Sequence, residues 1–203
     1  VYNRPKNLFV ADFVGNPSIN FVEAKGAQNA DGTFELALLD GHKAVYTPNE
    51  KFNMTEWFAK RDEEEKKAEE ALAAIRADKK AVEKGNKDEV FKYHISMVEE
   101  NDFSLQEEPV ITNEDFVIGI RPECIKIKED GSLTGKIFGA MPTGMESTIK
   151  VAVGNFLLTG VVFGSTLYRI GDEKKFSIDG SDILLFDRKS GKCVCAGKID
   201  IVS

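Results

Sequence analysis

Phe116-Val117-Ile118-Gly119-Ile120-Arg121-Pro122-Glu123-Cys124-Ile125-Lys126-Ile127-Lys128 decides how the rest of the chain is read. Phe116, Ile118 and Ile120 keep a two-residue period, the repeat of a strand with one face in a core. Pro122 ends that strand, because proline has no N–H to offer a ladder, and 124–128 forms a second short run beyond the bend. Arg121 and Glu123 flank the proline with opposite charges. Two readings of them stand open: a rim ion pair worth less than ~1 kcal/mol, or a bidentate arginine contact across a subunit interface or to a polar ligand.

The same pattern extends in both directions. Residues 133–138, 148–153, 156–163, 175–178, 182–187 and 193–201 are short apolar-rich runs divided by Gly, Asp and Ser. Gly154-Asn155 is a two-residue hairpin loop, and 187–191 marks another turn. Upstream, 20–25, 33–39 and 43–47 read as strands; Phe34, Leu36 and Leu38 alternate with Glu35 and Ala37. Many short strands without helices between them predict a mainly β fold, a small barrel or sandwich, and exclude α/β alternation.

Two helical segments interrupt this. Pro5 at a first helical position, the i, i+4 apolar residues Leu8, Phe9, Val10, Phe13 and Val14, and Gly15 as a left-handed stop predict a short N-terminal helix over 5–14. At Asn53 the composition turns to Ala, Glu and Lys, with Asn53 and Glu56 at capping-box spacing and no Gly or Pro before Gly85. A helix over 55–84 is expected, followed by a second from Asn86 through 98, together an inserted α-helical hairpin. Phe91, Ile95 and Val98 would pack on Leu72, Ile75 and Val82. Residues 61–67 carry no apolar side chain and should project into water. The division expected is a linker helix over 1–14, a β domain from 15–52 and 101–203, and the hairpin over 53–100.

The 203 residues carry a net charge of −7, with 42% hydrophobic and 30% charged residues. That field repels a phosphate backbone, so nucleic acid is excluded as a partner. No run approaches the ~20 apolar residues of a membrane-spanning helix. No phosphate-binding loop, dinucleotide fingerprint, serine elbow or zinc-protease motif occurs, so no catalytic residues and no cofactor are assigned. Cys124, Cys193 and Cys195 leave one thiol over after any pairing, which favours reduced thiols. His42 and His94 lie far from them in sequence, so no metal site is expected; His94 reads as a packing residue on a helix face. Val1-Tyr2-Asn3-Arg4-Pro5 reads as the interior of something longer.

That opening, continued by Leu8-Phe9-Val10-Ala11-Asp12-Phe13-Val14-Gly15-Asn16-Pro17-Ser18-Ile19-Asn20-Phe21, resembles the segment after the nucleotide-binding domain in ATP-binding subunits of sugar-importing ABC transporters of the maltose and multiple-sugar type. Gly119 to Glu123 is similar to that family's Gly-x-Arg-Pro-Glu, Gly144-Met145-Glu146 to its turn before a strand, and Leu184-Leu185-Phe186-Asp187 with Ser190-Gly191-Lys192 to its closing turn. The resemblance covers about residues 1–51 and 110–203. It implies an OB-like β-barrel of TOBE type, a regulatory and dimerisation domain coupled to carbohydrate uptake, with ATP and Mg in a separate ATPase domain. It also implies a homodimer, permease subunits and a regulatory protein as partners, and a cytoplasmic location at the inner face of the plasma membrane. Arg121, Glu123, Gly144, Glu146, Asp179, Gly180 and Phe186 are the interface or regulatory residues it suggests. A small-ligand module binding sugars or oxyanions near Arg121 is the alternative, and the inserted hairpin is where the chain departs from the family's pattern.

Overall fold

Alternation of side chains is what builds the sheet system of this protein. A computed structural model describes residues 2, 4–77, 91–99, 110–164 and 166–202. In chain order, the elements are α1 (Leu8–Phe13), β1 (Asn20–Gln28), β2 (Phe34–Leu38), β3 (His42–Pro48), α2 (Met54–Ala77), β4 (Asp115–Ile120), a 3-10 turn (Pro122–Cys124) and β5 (Ile125–Ile127). They continue with β6 (Leu133–Pro142), β7 (Glu146–Val153), β8 (Phe156–Phe163), β9 (Glu173–Ile178), β10 (Ile183–Asp187) and β11 (Cys193–Val202). The fold is mainly β and OB-like, as the sequence predicts. Strand β2 follows the expected alternation, with Phe34, Leu36 and Leu38 buried and Glu35 and Ala37 exposed.

Six antiparallel strands close a barrel in the order β1-β2-β3-β11-β10-β4. Strands from before α2 therefore pair with strands from after it, β3 with β11 and β1 with β4. The other five strands form a sheet in the order β5-β9-β6-β7-β8. Asn20 stitches the two together: its Nδ2 donates to the carbonyls of Ile120 (3.0 Å) and Thr159 (2.9 Å), while its Oδ1 accepts from Thr159 N (2.7 Å). One hydrophobic core runs through both, with Phe34, Tyr46, Phe116, Ile125 and Phe176 sealed from water. Each such side chain contributes about 1.5–3 kcal/mol by burial. A smaller cluster of Leu8, Ala11, Phe21, Val117 and Phe186 seats α1 on the barrel's outside.

Helix α1 is shorter than expected. Asn7, not Pro5, opens it, its Oδ1 accepting from Val10 N at 3.0 Å. The cap wins because it satisfies a donor that the first turn leaves without a partner. Leu8 and Ala11 face inward, and Phe9 and Phe13 stack on each other outside.

The inserted hairpin needs two corrections. Asn53 does cap α2, accepting from Thr55 N (2.9 Å) and Glu56 N (3.3 Å), but residues 61–67 do not all stand in water. Arg61 is 2% exposed. It is drawn into the barrel wall by Asp187, so the first turns of α2 lie against β10. Second, residues 91–96 are not helical, and Met97 forms an isolated antiparallel bridge with Phe156 at the edge of β8. Val98 N donates to Asn155 O and Leu157 N to Ser96 O, both at 2.8 Å. Phe91, Tyr93, Ile95 and Met97 alternate with Lys92, His94 and Ser96, and that two-residue period outweighs the local helix signals. His94 is accordingly exposed on a strand-like segment, not packed on a helix face. Phe91 meets Phe9 edge-on at 5.4 Å instead of a helical stripe. The side chains of Leu72, Ile75 and Val82, and the expected helix over 78–84, lie outside the described residues.

Candidate functional site

Pro122 bends the chain out of β4 into the 3-10 turn, and the bend swings Arg121 underneath the N-terminal segment. Arg121 is 4% exposed. Its Nη1 donates to Val14 O (2.5 Å) and Ala11 O (3.3 Å), and Nη2 to Tyr2 O (2.8 Å). The guanidinium also lies 4.1 Å from the centre of the Tyr2 ring. It thus takes up carbonyls that α1 leaves open at its C-terminal end, where a cation is favoured. Burial lowers its proton affinity, yet a guanidinium keeps its charge throughout.

The rim ion pair read from the sequence is thereby corrected: among the described residues Arg121 makes no ion pair with Glu123, and its guanidinium donors go to backbone carbonyls. Glu123 instead accepts from Tyr2 Oη at 2.8 Å. Burial, reinforced by that hydrogen bond, raises the Tyr2 phenol above its ordinary value.

Four of the residues singled out from sequence come together. Arg121, Glu123, Asp179 and Gly180 line one cleft of about 320 Å³, together with Lys126 and Asp182. Asp179 N donates to Cys124 O (2.8 Å), and its carboxylate accepts from Lys128 Nζ. Gly180 is required by space: a Cβ there would stand 2.7 Å from Cys124 Sγ. Cys124 is 8% exposed, and burial pushes its thiol up to about 11. That is the opposite of what a nucleophilic cysteine needs.

Gly144 and Glu146 lie apart from this cleft, at the turn joining β6 to β7. Gly144 has φ +82° and Met145 beside it is 88% exposed. Gly164 N donates to Met145 O at 2.9 Å and Glu146 pairs with Phe163, so the end of β8 sits against the same turn. Met141 at 63% and Phe163 at 69% exposed complete an apolar tip. Phe186 belongs to neither place. It is fully buried, its ring edge-on to Phe21 at 6.2 Å, and so cannot meet a partner directly.

Sequence reasoning missed the barrel's buried ion pair. Arg61 Nη1 reaches both Asp187 oxygens at 3.1 Å, while Nη2 donates to Asp62 (2.6 Å) and Asn113 (3.0 Å). Asp187 also accepts from Ser190 N (2.9 Å) and Ser190 Oγ (2.5 Å), which fixes the β10–β11 turn. Arg61 in place of another lysine was the one signal available, since arginine is the residue suited to buried pairing. Among the described residues no group of three or more His, Cys, Asp or Glu is placed to hold a metal ion. No described helix is long and apolar enough to cross a membrane.

A barrel closed across an inserted helix is the architecture the sequence pointed to, and comparison with known proteins places it in a family. The chain is homologous to the C-terminal part of ATP-binding subunits of ABC importers. It is 31% identical over 150 residues to the maltose/maltodextrin import ATP-binding protein MalK of Mannheimia succiniciproducens, a match covering 68% of this chain and 40% of that protein. It is 23% identical over 196 residues to the sulfoquinovosyl glycerol transport ATP-binding protein SmoE of Agrobacterium fabrum, covering 96% of this chain and 38% of the relative. A spermidine/putrescine import ATP-binding protein, PotA of Clostridium acetobutylicum, is 40% identical over 73 residues, 35% of this chain and 20% of that protein. The chain spans about two fifths of the length of the first of these relatives. No family model matches it.

Proposed function

We propose that this chain is the regulatory and dimerisation region of the ATP-binding subunit of a sugar-importing ABC transporter. It would act at the cytoplasmic face of the membrane, together with permease subunits. In this reading, ATP and Mg are handled by an ATPase domain outside these residues, and the chain itself performs no catalysis. Its work is to keep two copies associated while the ATPase domains open and close, and to receive a regulatory protein.

The apolar tip of Met141, Met145 and Phe163 is the observation that carries the association. Large apolar side chains gathered at one exposed end, on a chain with 30% charged residues, favour a protein contact over solvent. A second copy is the occupant that fits this reading. Gly144 and Glu146, which the motif resemblance marked, frame the same turn.

Sedimentation velocity across a concentration series tests this. Dimers are expected, and Met145→Glu with Phe163→Glu should return monomers with an unchanged far-UV circular dichroism spectrum. A wild-type chain that stays monomeric at the highest concentration overturns the dimerisation reading. Ligand capture by Arg121 finds no support, since the guanidinium is engaged with backbone carbonyls and buried.

A further inference from the structure

A second cleft, larger than the one beside Arg121, opens between α2 and the barrel. Its volume is about 490 Å³, within the range of small-molecule sites. Phe52, Trp57, Leu184, Val194 and Ala196 supply an apolar lining, and the rim is cationic. Among the described residues Arg4, Lys6, Lys51, Lys60, Arg61 and Lys192 face it, against Glu50 and Glu64. Those two carboxylates are already neutralised, Glu50 by Arg4 at 2.8 Å and Glu64 by Lys192 at 3.0 Å. Arg61 is matched by Asp187 behind it. Lys6, Lys51 and Lys60 are left in excess, three exposed ammonium groups around one mouth. In a chain of net charge −7, a local surplus of this sign is a concentrated exception.

We infer that this cleft binds a phosphomonoester carried on a ring. The ring would lie in the Trp57 and Phe52 lining, and the phosphate between Lys51 and Lys60, with Lys6 adding long-range attraction. Lysines take phosphate as point charges without a fixed fork, so the site would accept the dianion without demanding one orientation. Because α2 forms one wall and the barrel the other, the ligand would bridge them. Occupancy would therefore hold the helix against the barrel, and this holds whether or not the chain dimerises.

Trp57 is the single tryptophan of the chain, so its fluorescence reports directly on the cleft. Titrating the 203-residue protein with glucose 6-phosphate and, separately, with AMP should give a saturable change in emission for at least one of them. Whichever binds identifies the ring as sugar or nucleobase. Glucose and inorganic phosphate alone should each bind at least ten-fold more weakly. Lys51→Glu with Lys60→Glu, both at exposed positions, should weaken binding at least ten-fold without altering the unfolding midpoint. The inference is overturned if neither phosphomonoester changes the emission up to 10 mM, or if the double variant binds as tightly as the wild type. Sedimentation under the same conditions separates this outcome from failure of the dimerisation reading.

Discussion

Arg61 and Asp187, 126 residues apart, form a buried two-pronged ion pair with side chains 1% and 0% exposed. It fastens a helix whose exposed face is studded with charge to the one barrel strand that is buried at every position. Arg61 also holds Asp62 at 2.6 Å and Asp187 also accepts from Ser190, so the pair is the centre of a hydrogen-bonded network that satisfies both buried groups.

Replacing Arg61 by Met should cost about 3–5 kcal/mol, because an unpaired carboxylate is left in the wall of the barrel. Adding Asp187→Asn should restore part of the loss, since Asn keeps an acceptor for Ser190. Urea denaturation of the two variants measures this, and the double variant must lie above the single one.

Arg121→Ala should free the carbonyls of Tyr2, Ala11 and Val14 and loosen α1, at about 2–3 kcal/mol for charged hydrogen bonds. Native-state hydrogen exchange should show residues 8–14 opening at least ten-fold faster, with β6–β8 unchanged. Lysine at 121 should recover little, because it cannot fork between acceptors on separate strands of backbone.

Gly197 pairs with Pro48 where β11 meets β3, and a Cβ there would run into Thr47 O and the Tyr46 ring, 2.8 Å away. Tyr46 Oη donates to Ile183 O at 2.9 Å, so the ring cannot retreat freely. Gly197→Ala should therefore destabilise by about 1–3 kcal/mol, the usual cost of overpacking. Thermal melting follows it directly.

Burial pushes Cys193 up to about 11 and Cys195 up to about 12, from an ordinary value near 9. These folded-state values are raised, so their contribution is fully present below pH 9 and is lost as pH climbs through 11 and 12. Above pH 9 the unfolded chain releases protons that the native one holds, and stability falls by about 1.4 kcal/mol per thiol per unit. Urea midpoints should drop between pH 8.5 and 10, and Cys193→Ala with Cys195→Ala should flatten that slope.

Deleting residues 54–99 should destabilise the barrel by at least as much as Arg61→Met, since it removes the partner of Asp187 and uncovers the edge of β8. A deletion variant with the wild-type urea midpoint would show that α2 and residues 91–98 are dispensable ornaments.

Strand positions were legible because a two-residue period needs only neighbours in sequence to be seen. The Gly154-Asn155 loop was legible for the same reason, with Val153 opposite Phe156 and Gly154 at φ +55°. Residues 91–97 carried the same period, yet Asn86 and Glu89 just before them have helix-capping spacing and masked it. Arg61 was barely legible: apart from being an arginine in a run of Lys and Glu, its burial depends on Asp187, 126 residues away. The first cleft was partly visible, since Arg121, Glu123, Asp179 and Gly180 were each marked, but their meeting was not.

From the order of amino acids alone follow the β character, the interruption by a charged helix, and the motifs that align this chain with importer ATP-binding subunits. These are properties of periodicity and composition, which act over a few residues. Only the folded chain decided that Arg121 clamps α1, that Phe186 is out of reach of any partner, and that Trp57 lines a cationic cleft. Each depends on which distant segments share a core, and that choice is made by burial and charge pairing across the closed barrel.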